Sequence, residues 1–257
     1  MKRALLWGGL TVLAVAVTVL LFLPAAWLGP MVERQTGGRL TLGDAQGTLW
    51  RGSAFVGGAP GEGGSVTPLL PGRFSWRLSP LVLFGQVNME LANDKALAQP
   101  VRISGSWSQW QVSAGELLLP AEGLAGLGAP LNTLAPSGVI KLSWNLLDIA
   151  RQGQTMAVQG RTVLSLTDMG SRMSPVKPLG SYDVAMDWRG QRADLALRTV
   201  RGALLLSGSG TLENGSLRIS GQASAAEGYE DTLGNLLNLL GQRRMVNGKN
   251  IIALEFR

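Results

Sequence analysis

The sequence contains no cysteine and no histidine among its 257 residues. The absence of cysteine excludes a disulfide framework, a thiolate nucleophile and a cysteine-ligated zinc site. The absence of histidine removes the commonest general base and the commonest transition-metal ligand. There is also no G-x-S-x-G nucleophile motif, no Walker A sequence and no dinucleotide-binding fingerprint. We therefore expect a protein that is not an enzyme and that binds neither a metal nor a cofactor.

Charge is also scarce, since charged residues make up 16% of the chain and hydrophobic residues 46%. This composition argues against disorder driven by high charge and low hydrophobicity. Of the net charge of +6, Lys2 and Arg3 contribute two positive charges. The remaining excess is spread along the chain without a basic block, so nucleic acid is not an indicated partner.

An uncharged and largely apolar stretch of twenty residues runs from Ala4 to Leu23. As a helix it would be roughly 30 Å long, which matches the hydrocarbon core of a bilayer. Lys2 and Arg3 precede it and are expected to stay in the cytoplasm. The sequence thus predicts a cytoplasmic tail over 1–3, a single transmembrane anchor over 4–23 and an extracytoplasmic domain over 24–257.

A cleaved signal peptide is the alternative interpretation of the same stretch. Signal-peptide hydrophobic cores are usually about 7–15 residues long and end at a small-residue cleavage site. Here the apolar stretch is longer, and Pro24-Ala25-Ala26-Trp27 after it is a poor cleavage site. Both interpretations place the rest of the chain outside the cytoplasm.

Beyond about residue 38, apolar and polar residues alternate in short segments bounded by Gly, Ser, Asn and Pro. Alternation with a period of two is typical of strands that have one buried and one wet face, as in antiparallel sheets. The apolar positions of these segments are Phe74, Trp76, Leu78; Val87, Met89, Leu91; Ile140, Leu142, Trp144, Leu146; Tyr182, Val184, Met186, Trp188; Leu195, Leu197; and Leu217, Ile219.

Turn signals separate these segments at intervals of about ten residues, and Asn214-Gly215 is the strongest hairpin signal. We therefore predict a mainly β protein: an N-terminal transmembrane helix followed by an extended antiparallel meander. The meander would be a curved sheet, a half-barrel or a sandwich. The stretch 57–65 is expected to be a flexible loop, and the domain is either undivided or made of two β-halves that meet near 120–138.

One segment near the C-terminus has helical periodicity. Leu233, Leu236, Leu237 and Leu240 follow the i, i+3, i+4, i+7 pattern within 229–241. We expect an amphipathic helix there, with the leucine face buried, followed by a last strand over 251–256. Residues 123–134 are broken by glycine and proline, so they predict no more than a short helix or a loop.

Tryptophan and aspartate offer the remaining candidates for chemistry. Trp76, Trp144 and Trp188 alternate in strands and are expected in the core. Core packing is also favoured for Trp107 and Trp110, and the alternative for these two is to line a sugar or lipid groove. Asp183 and Asp187 share one face of a strand, roughly 13 Å apart. That separation is too large for a glycosidase pair, so we interpret them as part of a solvated face.

The order of several motifs resembles the type II secretion system protein N family. QGTLWRG at 46–52 follows a short strand-like segment that itself follows the predicted anchor. The resemblance continues with R-x-S-W-R-L at 73–78, P-L-G-S-Y at 178–182 and L-L-N-L-L-G-Q-R at 236–243. The resemblance implies a structural role for six positions of the first motif, namely Gly47, Thr48, Leu49, Trp50, Arg51 and Gly52.

This resemblance implies an accessory component of the general secretion pathway, held in the bacterial inner membrane with its bulk in the periplasm. Such systems export folded proteins across the outer membrane. The implied partners are other secretion subunits, namely the inner-membrane platform, the pseudopilus or the secretin. The family provides no catalytic residues to transfer to this chain.

The predicted sheet suggests a second function. A long antiparallel meander with one apolar face can curl into a groove, so an inner-membrane-anchored module that handles lipid or lipopolysaccharide is the alternative. A periplasmic hydrolase is a third hypothesis, and the missing histidine and cysteine disfavour it.

Overall fold

The computed structural model describes residues 2–61, 64–128, 131–153, 155–213, 216–240, 242–246 and 249–256. Within these ranges the side chains of 2–6, 12, 13, 16, 239, 240, 242–246, 249–251 and 254–256 are outside the description. The Asn214-Gly215 turn therefore lies outside the described residues, as does the side chain of Leu240.

The chain opens with helix α1, Lys2–Leu21, followed by a 3₁₀ turn, Ala25–Trp27, and helix α2, Leu28–Gln35. No helix within the described part of the chain combines the length and the apolar character needed to cross a membrane. The anchor predicted over 4–23 falls partly on side chains outside the description, and its membrane span stays a prediction.

Among the described residues that follow, sixteen strands form one open antiparallel sheet, which confirms the prediction of a mainly β, antiparallel fold and excludes a sandwich of two sheets for this part of the chain. The strands are β1 Leu40–Gly47, β2 Arg51–Gly58, β3 Thr67–Leu78, β4 Gln86–Ala92, β5 Val101–Ser106, β6 Gln109–Val112, β7 Gly115–Pro120, β8 Ser137–Trp144, β9 Leu147–Gln152, β10 Thr155–Gly170, β11 Gly180–Gly190, β12 Arg192–Gly202, β13 Leu204–Glu213, β14 Ser216–Ala225, β15 Gln242–Val246 and β16 Lys249–Phe256.

The strand order is β1-β2-β3-β4-β5-β6-β9-β10-β11-β12-β13-β14-β16-β15. Strands β7 and β8 continue β6 and β9 in the same register, because Val112 pairs with Leu147 and Gly115 with Trp144. β10 pairs with both parts of this interrupted strand, first with β9 and then with β8. The region 121–136 is therefore a connection between paired strands; it holds a 3₁₀ helix, Ala121–Leu127, and helix α3, Leu131–Leu134.

The register places one apolar face along the whole sheet. Trp76 lies opposite Leu91, and Leu91 opposite Val101. Further along, Leu164 lies opposite Val184, which lies opposite Leu197. Directly opposed residues of antiparallel strands project from the same side of a sheet. The alternation found in the sequence thus becomes a single apolar surface.

This apolar face is curled between β3 and β8. A flat sheet would separate β3 from β7 by three strand spacings, about 14 Å, yet the two strands are in contact. The 3₁₀ helix Ala121–Leu127 packs on β2, β3 and β8. Curling buries a cluster of Phe74, Ala96, Leu97 and Val101, with Leu91, Leu117 and Trp144 packed against it.

Helix α4, Glu230–Leu240, confirms the predicted amphipathic helix. Its residues Leu233, Leu236 and Leu237 are buried against Leu204, Ala223 and Ile252, as expected for the leucine face. The chain then forms two further strands where the sequence indicated one, since β15 precedes β16. The residues of β15 show no clear alternation, so the period-two pattern did not reveal this strand.

Two of the apolar positions in the predicted alternating segments are exposed. Leu146 is 50% exposed because the chain leaves the sheet between β8 and β9. Leu217 lies on the apolar face of β14 but is 41% exposed, since it stands at the end of the strand far from α4. The β13–β14 hairpin signalled by Asn214-Gly215 is confirmed by the pairing of its strands.

Candidate functional site at the joint between α1 and the sheet

The motif Gln46–Gly52 forms the tight turn between β1 and β2. Gly47 and Gly52 are the last pair of the ladder. Thr48 donates its backbone N–H to the carbonyl of Arg51 at 2.8 Å, and its hydroxyl accepts the N–H of Arg51 at 3.2 Å. The turn is thus closed by hydrogen bonds within the motif.

Both glycines of the turn are required by its geometry. Gly47 has φ of +86°, a conformation that residues with a Cβ adopt at a cost, and a Cβ there would also collide with the carbonyl oxygen of Arg51. A Cβ on Gly52 would lie 2.5 Å from Cζ2 of Trp76 and 2.8 Å from the carbonyl oxygen of Gln46. The motif therefore carries glycine where the turn closes and where an indole ring covers it.

The turn holds the C-terminal end of α1. Trp50 is 7% exposed, and its indole Nε1 donates to the carbonyl oxygen of Leu20 at 2.8 Å. The backbone N–H of Leu49 donates to the carbonyl of Leu23 at 2.8 Å, and Pro24 forms an isolated bridge with Thr48. Carbonyl groups at a helix C-terminus have no partner within the helix, so the turn satisfies groups that α1 leaves open.

The same turn is tied to β3. The indole Nε1 of Trp76 donates to the carbonyl of Leu49 at 3.0 Å, and the N–H of Leu78 donates to the carbonyl of Trp50 at 2.8 Å. Trp76 is 8% exposed and packs with Ala25 and Ala54, which confirms its predicted core position. The motif is therefore a joint between α1, the first hairpin and β3.

An ion pair between β1 and β3 lies next to this joint. Arg73 pairs with the carboxylate of Asp44 and lies over the ring of Phe55, 4.5 Å from its centroid. Hydrogen bonds from the side-chain amide of Gln46, helped by the charge of Arg73, hold the pKa of Asp44 below its usual range. Sequence reasoning found Arg73 within a motif but missed Asp44 as its partner, because the two residues are far apart in the chain.

The other candidates lie apart from the joint. Asp183 accepts hydrogen bonds from Arg198 at 2.7 Å and from Ser165 at 2.9 Å. Asp187 lies 3.7 Å from Arg161. Their face of β11 is an ion-paired polar surface, and the described residues contain no group of three or more His, Cys, Asp or Glu arranged to hold a metal ion.

The sequence also contains an S-x-x-K spacing at Ser174–Lys177, the pattern in which a lysine can serve a serine nucleophile. It lies in the connection between β10 and β11 and not on a helix. Ser174 is buried, and its hydroxyl accepts the N–H of Val176 at 3.1 Å. This hydrogen bond is a local turn contact.

The remaining tryptophans differ in how far they are buried. Trp144 is half-buried and donates to the carbonyl of Ser113 at 2.9 Å, and Trp188 is half-buried and donates to Thr162 at 3.1 Å. Trp110 is half-buried as well. The core prediction is wrong for Trp107, which is 60% exposed because it stands in the β5–β6 turn beyond the last strand pair.

Comparison with known proteins agrees with the motif order. The family model described as type II secretion system (T2SS), protein N matches residues 38–250. No curated protein and no solved structure matches the chain. The family match includes the joint motif and fifteen complete strands, from β1 to β15, in their order along the chain. Because it covers most of the sequence, the chain belongs to the type II secretion system protein N family and is a component of that secretion system.

Proposed function

We propose that this chain is an accessory inner-membrane component of the type II secretion system, which acts by protein–protein interaction and catalyses no reaction. The observation that carries the proposal is the family match over 38–250. The apolar segment 4–23 would span the inner membrane, and the sheet would lie in the periplasm. There it would take part in the export of folded proteins across the outer membrane.

The joint at the β1–β2 turn supports this arrangement. A flexible tether would let the sheet move freely against the membrane, whereas Trp50 and Leu49 bond directly to the last turn of α1 and the residues after it. A sheet held in one orientation can present the same edge to partners that are themselves fixed in the membrane.

The edge at β15 is suited to partner binding. In the described part of the chain β15 pairs with β16 alone, and it ends the strand order. At the other end of the sheet, α2 packs on β1. An uncovered edge strand offers backbone N–H and C=O groups to a strand from another protein. We therefore place the contact with the platform, pseudopilus or secretin at β15.

In-membrane photocrosslinking tests this proposal in a strain with an intact secretion apparatus. A photoreactive amino acid replaces Arg244 in β15, and the matched control replaces Arg102, an exposed residue of the interior strand β5. We expect adducts with secretion subunits from position 244 and none from 102. Equal adducts from both positions would contradict the assignment of the edge, and the absence of subunit adducts would contradict the function.

The topology has its own test. Alkaline phosphatase folds only outside the cytoplasm, so a fusion after Arg257 is expected to be active. An inactive fusion, together with an active cytoplasmic reporter at the same position, would contradict the periplasmic location.

Lipid handling remains a second candidate because of one observation. We call the region around β11 and β12 the open part of the sheet. Its apolar residues Val184, Met186, Leu195 and Leu197 are only half-buried. Mass spectrometry of the protein purified from membranes would detect lipid bound there. Lipid that is retained by the natural chain and lost in Leu195→Asp would support this candidate, and secretion that is unaffected by deletion of the protein would favour it over the first.

A further inference from the structure

The turn that holds the end of α1 shares one end of the sheet with several others. Antiparallel strands place alternate turns at the same end, so the β1–β2, β3–β4, β5–β6, β9–β10 and β11–β12 turns follow one another along it. The first of these turns holds Leu20 and Leu23. We call this the α1 end of the sheet.

The β3–β4 connection at the α1 end is unusually apolar. It is the 3₁₀ helix Pro80–Phe84, with the sequence PLVLF. Ser79 caps it by accepting the N–H of Leu81 at 3.3 Å, and Gly85 ends it in the left-handed conformation. The side chains point outward, since Leu81 is 50%, Leu83 43% and Phe84 82% exposed. Turns between strands are usually polar, so this composition calls for a partner.

Trp107 of the β5–β6 turn joins this surface. Its indole Nε1 donates to the carbonyl of Val82, and the ring is 60% exposed. Single exposed apolar residues are ordinary on protein surfaces, but a contiguous group of large ones marks an interaction site. We define the apolar tip as Leu81, Leu83, Phe84 and Trp107.

The apolar tip is linked to α1 through two hydrogen bonds. Leu78, immediately before the connection, donates to the carbonyl of Trp50, and Trp50 donates to the carbonyl of Leu20. The tip thus lies beside the point where α1 ends. If α1 spans a bilayer, the tip stands at the surface of that bilayer.

The chemistry around the tip fits lipid. A recess of about 380 Å³ lies beside Trp107 and is also lined by Val87, Ile103, Trp110 and Arg151. On the other face of the sheet, the exposed Arg51 lies directly opposite Arg77, Arg77 opposite Glu90 and Glu90 opposite Arg102, so this row holds three cations and one carboxylate. Like charges in directly opposed positions repel, and an anionic surface would relieve the repulsion. Apolar side chains, an exposed tryptophan and arginines are the residues that favour a membrane interface.

We propose that the apolar tip inserts into the periplasmic surface of the bilayer that α1 spans, with the neighbouring arginines on anionic headgroups. This inference rests on the proposed membrane anchor. An interfacial segment typically reaches about 5–10 Å into the headgroup boundary. The sheet then has two attachments to the membrane, α1 and the tip, which fix the direction in which β15 and the apolar face project.

Because the chain has no cysteine, one introduced thiol can carry a single environment-sensitive fluorophore. The purified full chain with Phe84→Cys is labelled and reconstituted into vesicles of phosphatidylethanolamine and phosphatidylglycerol that contain acyl-chain quenchers. The matched control is Met173→Cys, a 44% exposed apolar residue at the opposite end of the sheet. We expect a blue-shifted emission at position 84 and quenching several-fold stronger than at 173.

A second variant checks the cause. Leu83→Asp in the Phe84→Cys background places a charge on an exposed position of the tip, where the fold tolerates it, and is expected to abolish most of the quenching. A blue shift without quenching would mean that protein covers the tip, and equal quenching at 84 and 173 would mean that the label reports the vesicles only. Either result overturns the proposal.

Extraction of the same vesicles with alkaline carbonate separates this inference from the anchor. Protein that resists extraction while position 84 remains unquenched supports the anchor and overturns the tip. Protein that is extracted although position 84 had been quenched supports the tip and overturns the anchor.

Discussion

Phe74 in β3 and Met186 in β11 project from the same apolar face, but their surroundings differ. Phe74 is 7% exposed within the curled part of the sheet, where β7, β8 and the segment around Leu97 close over it. Met186 is half-buried in the open part, where β11 contacts mainly β10, β12 and β13. Curvature, rather than hydrophobicity, therefore decides which apolar residues form a core.

The difference assigns separate roles to the two parts. The curled part between β3 and β8 holds a closed cluster and adjoins the joint with α1, so it is built for rigidity. The open part leaves half-exposed apolar side chains between α4 and the α1 end of the sheet, so it retains a surface on which another molecule can bind.

The largest effect is expected from truncation in the curled part. Phe74→Ala removes a buried aromatic ring and should lower the free energy of unfolding by about 3–5 kcal/mol. The matched variant Met186→Ala in the open part should cost less than about 2 kcal/mol, because its side chain is already partly hydrated. Chemical denaturation of both variants measures the difference. Equal losses would mean that the open part is covered in solution.

Helix α4 closes one end of the open part, and Leu233 is the most buried of its described side chains, at 0% exposure. Leu233→Ala should lower the free energy of unfolding by about 3 kcal/mol through a cavity under the helix. Asn235→Ala, at an exposed position of the same helix, serves as the control and should change stability little. If thermal unfolding is the same for Leu233→Ala as for the control, the helix does not stabilise the sheet.

Tyr182 lies where the open part meets α4. It is buried, its hydroxyl donates to the carbonyl of Leu204 at 3.0 Å, and burial raises its pKa to about 12. The Tyr182 hydroxyl ionises near pH 10 in the unfolded chain and near pH 12 in the folded chain. The folded state therefore keeps the full contribution of Tyr182 to its stability below pH 10 and loses it as the pH rises toward 12. The loss amounts to about 2–3 kcal/mol.

Spectroscopy can follow this ionisation, because the chain has only two tyrosines. In Tyr229→Phe the remaining phenol is Tyr182, and its absorbance should titrate near pH 12. Titration near pH 10 would show that this part of the sheet is open to water.

The smallest effect is expected on the polar face of the open part. The Arg198 guanidinium, together with the Ser165 hydroxyl, holds the pKa of Asp183 below its usual range. The ionised Asp183 therefore stabilises the folded state at neutral pH, and this contribution declines as the pH falls below about 4. Since Arg198 is largely exposed, Asp183→Asn should cost less than about 1 kcal/mol. Asp187→Asn, with its longer ion pair of 3.7 Å, should cost still less in the same denaturation series.

Local patterns predicted most of the elements. Alternation identified the strands that contain Trp76, Val184 and Leu195, and the leucine spacing identified α4, because both patterns follow from the backbone geometry of a single element. The glycines of the 46–52 motif were also visible, although their partners were not. The motif positions were found from a resemblance, and their hydrogen bonds to Leu20 and Leu23 join segments that no local rule connects.

The sequence alone determined which residues face the same side of each strand, where α4 lies, and which family the chain resembles. The tertiary structure decided how far each apolar residue is buried, because burial depends on strands that are distant in sequence. Phe74 became core when β7 curled toward β3, whereas Trp107, equally apolar, was left on the surface at the α1 end of the sheet. Curvature arises from register, interrupted strands and long-range packing, and none of these follows from the period of two that the sequence displays.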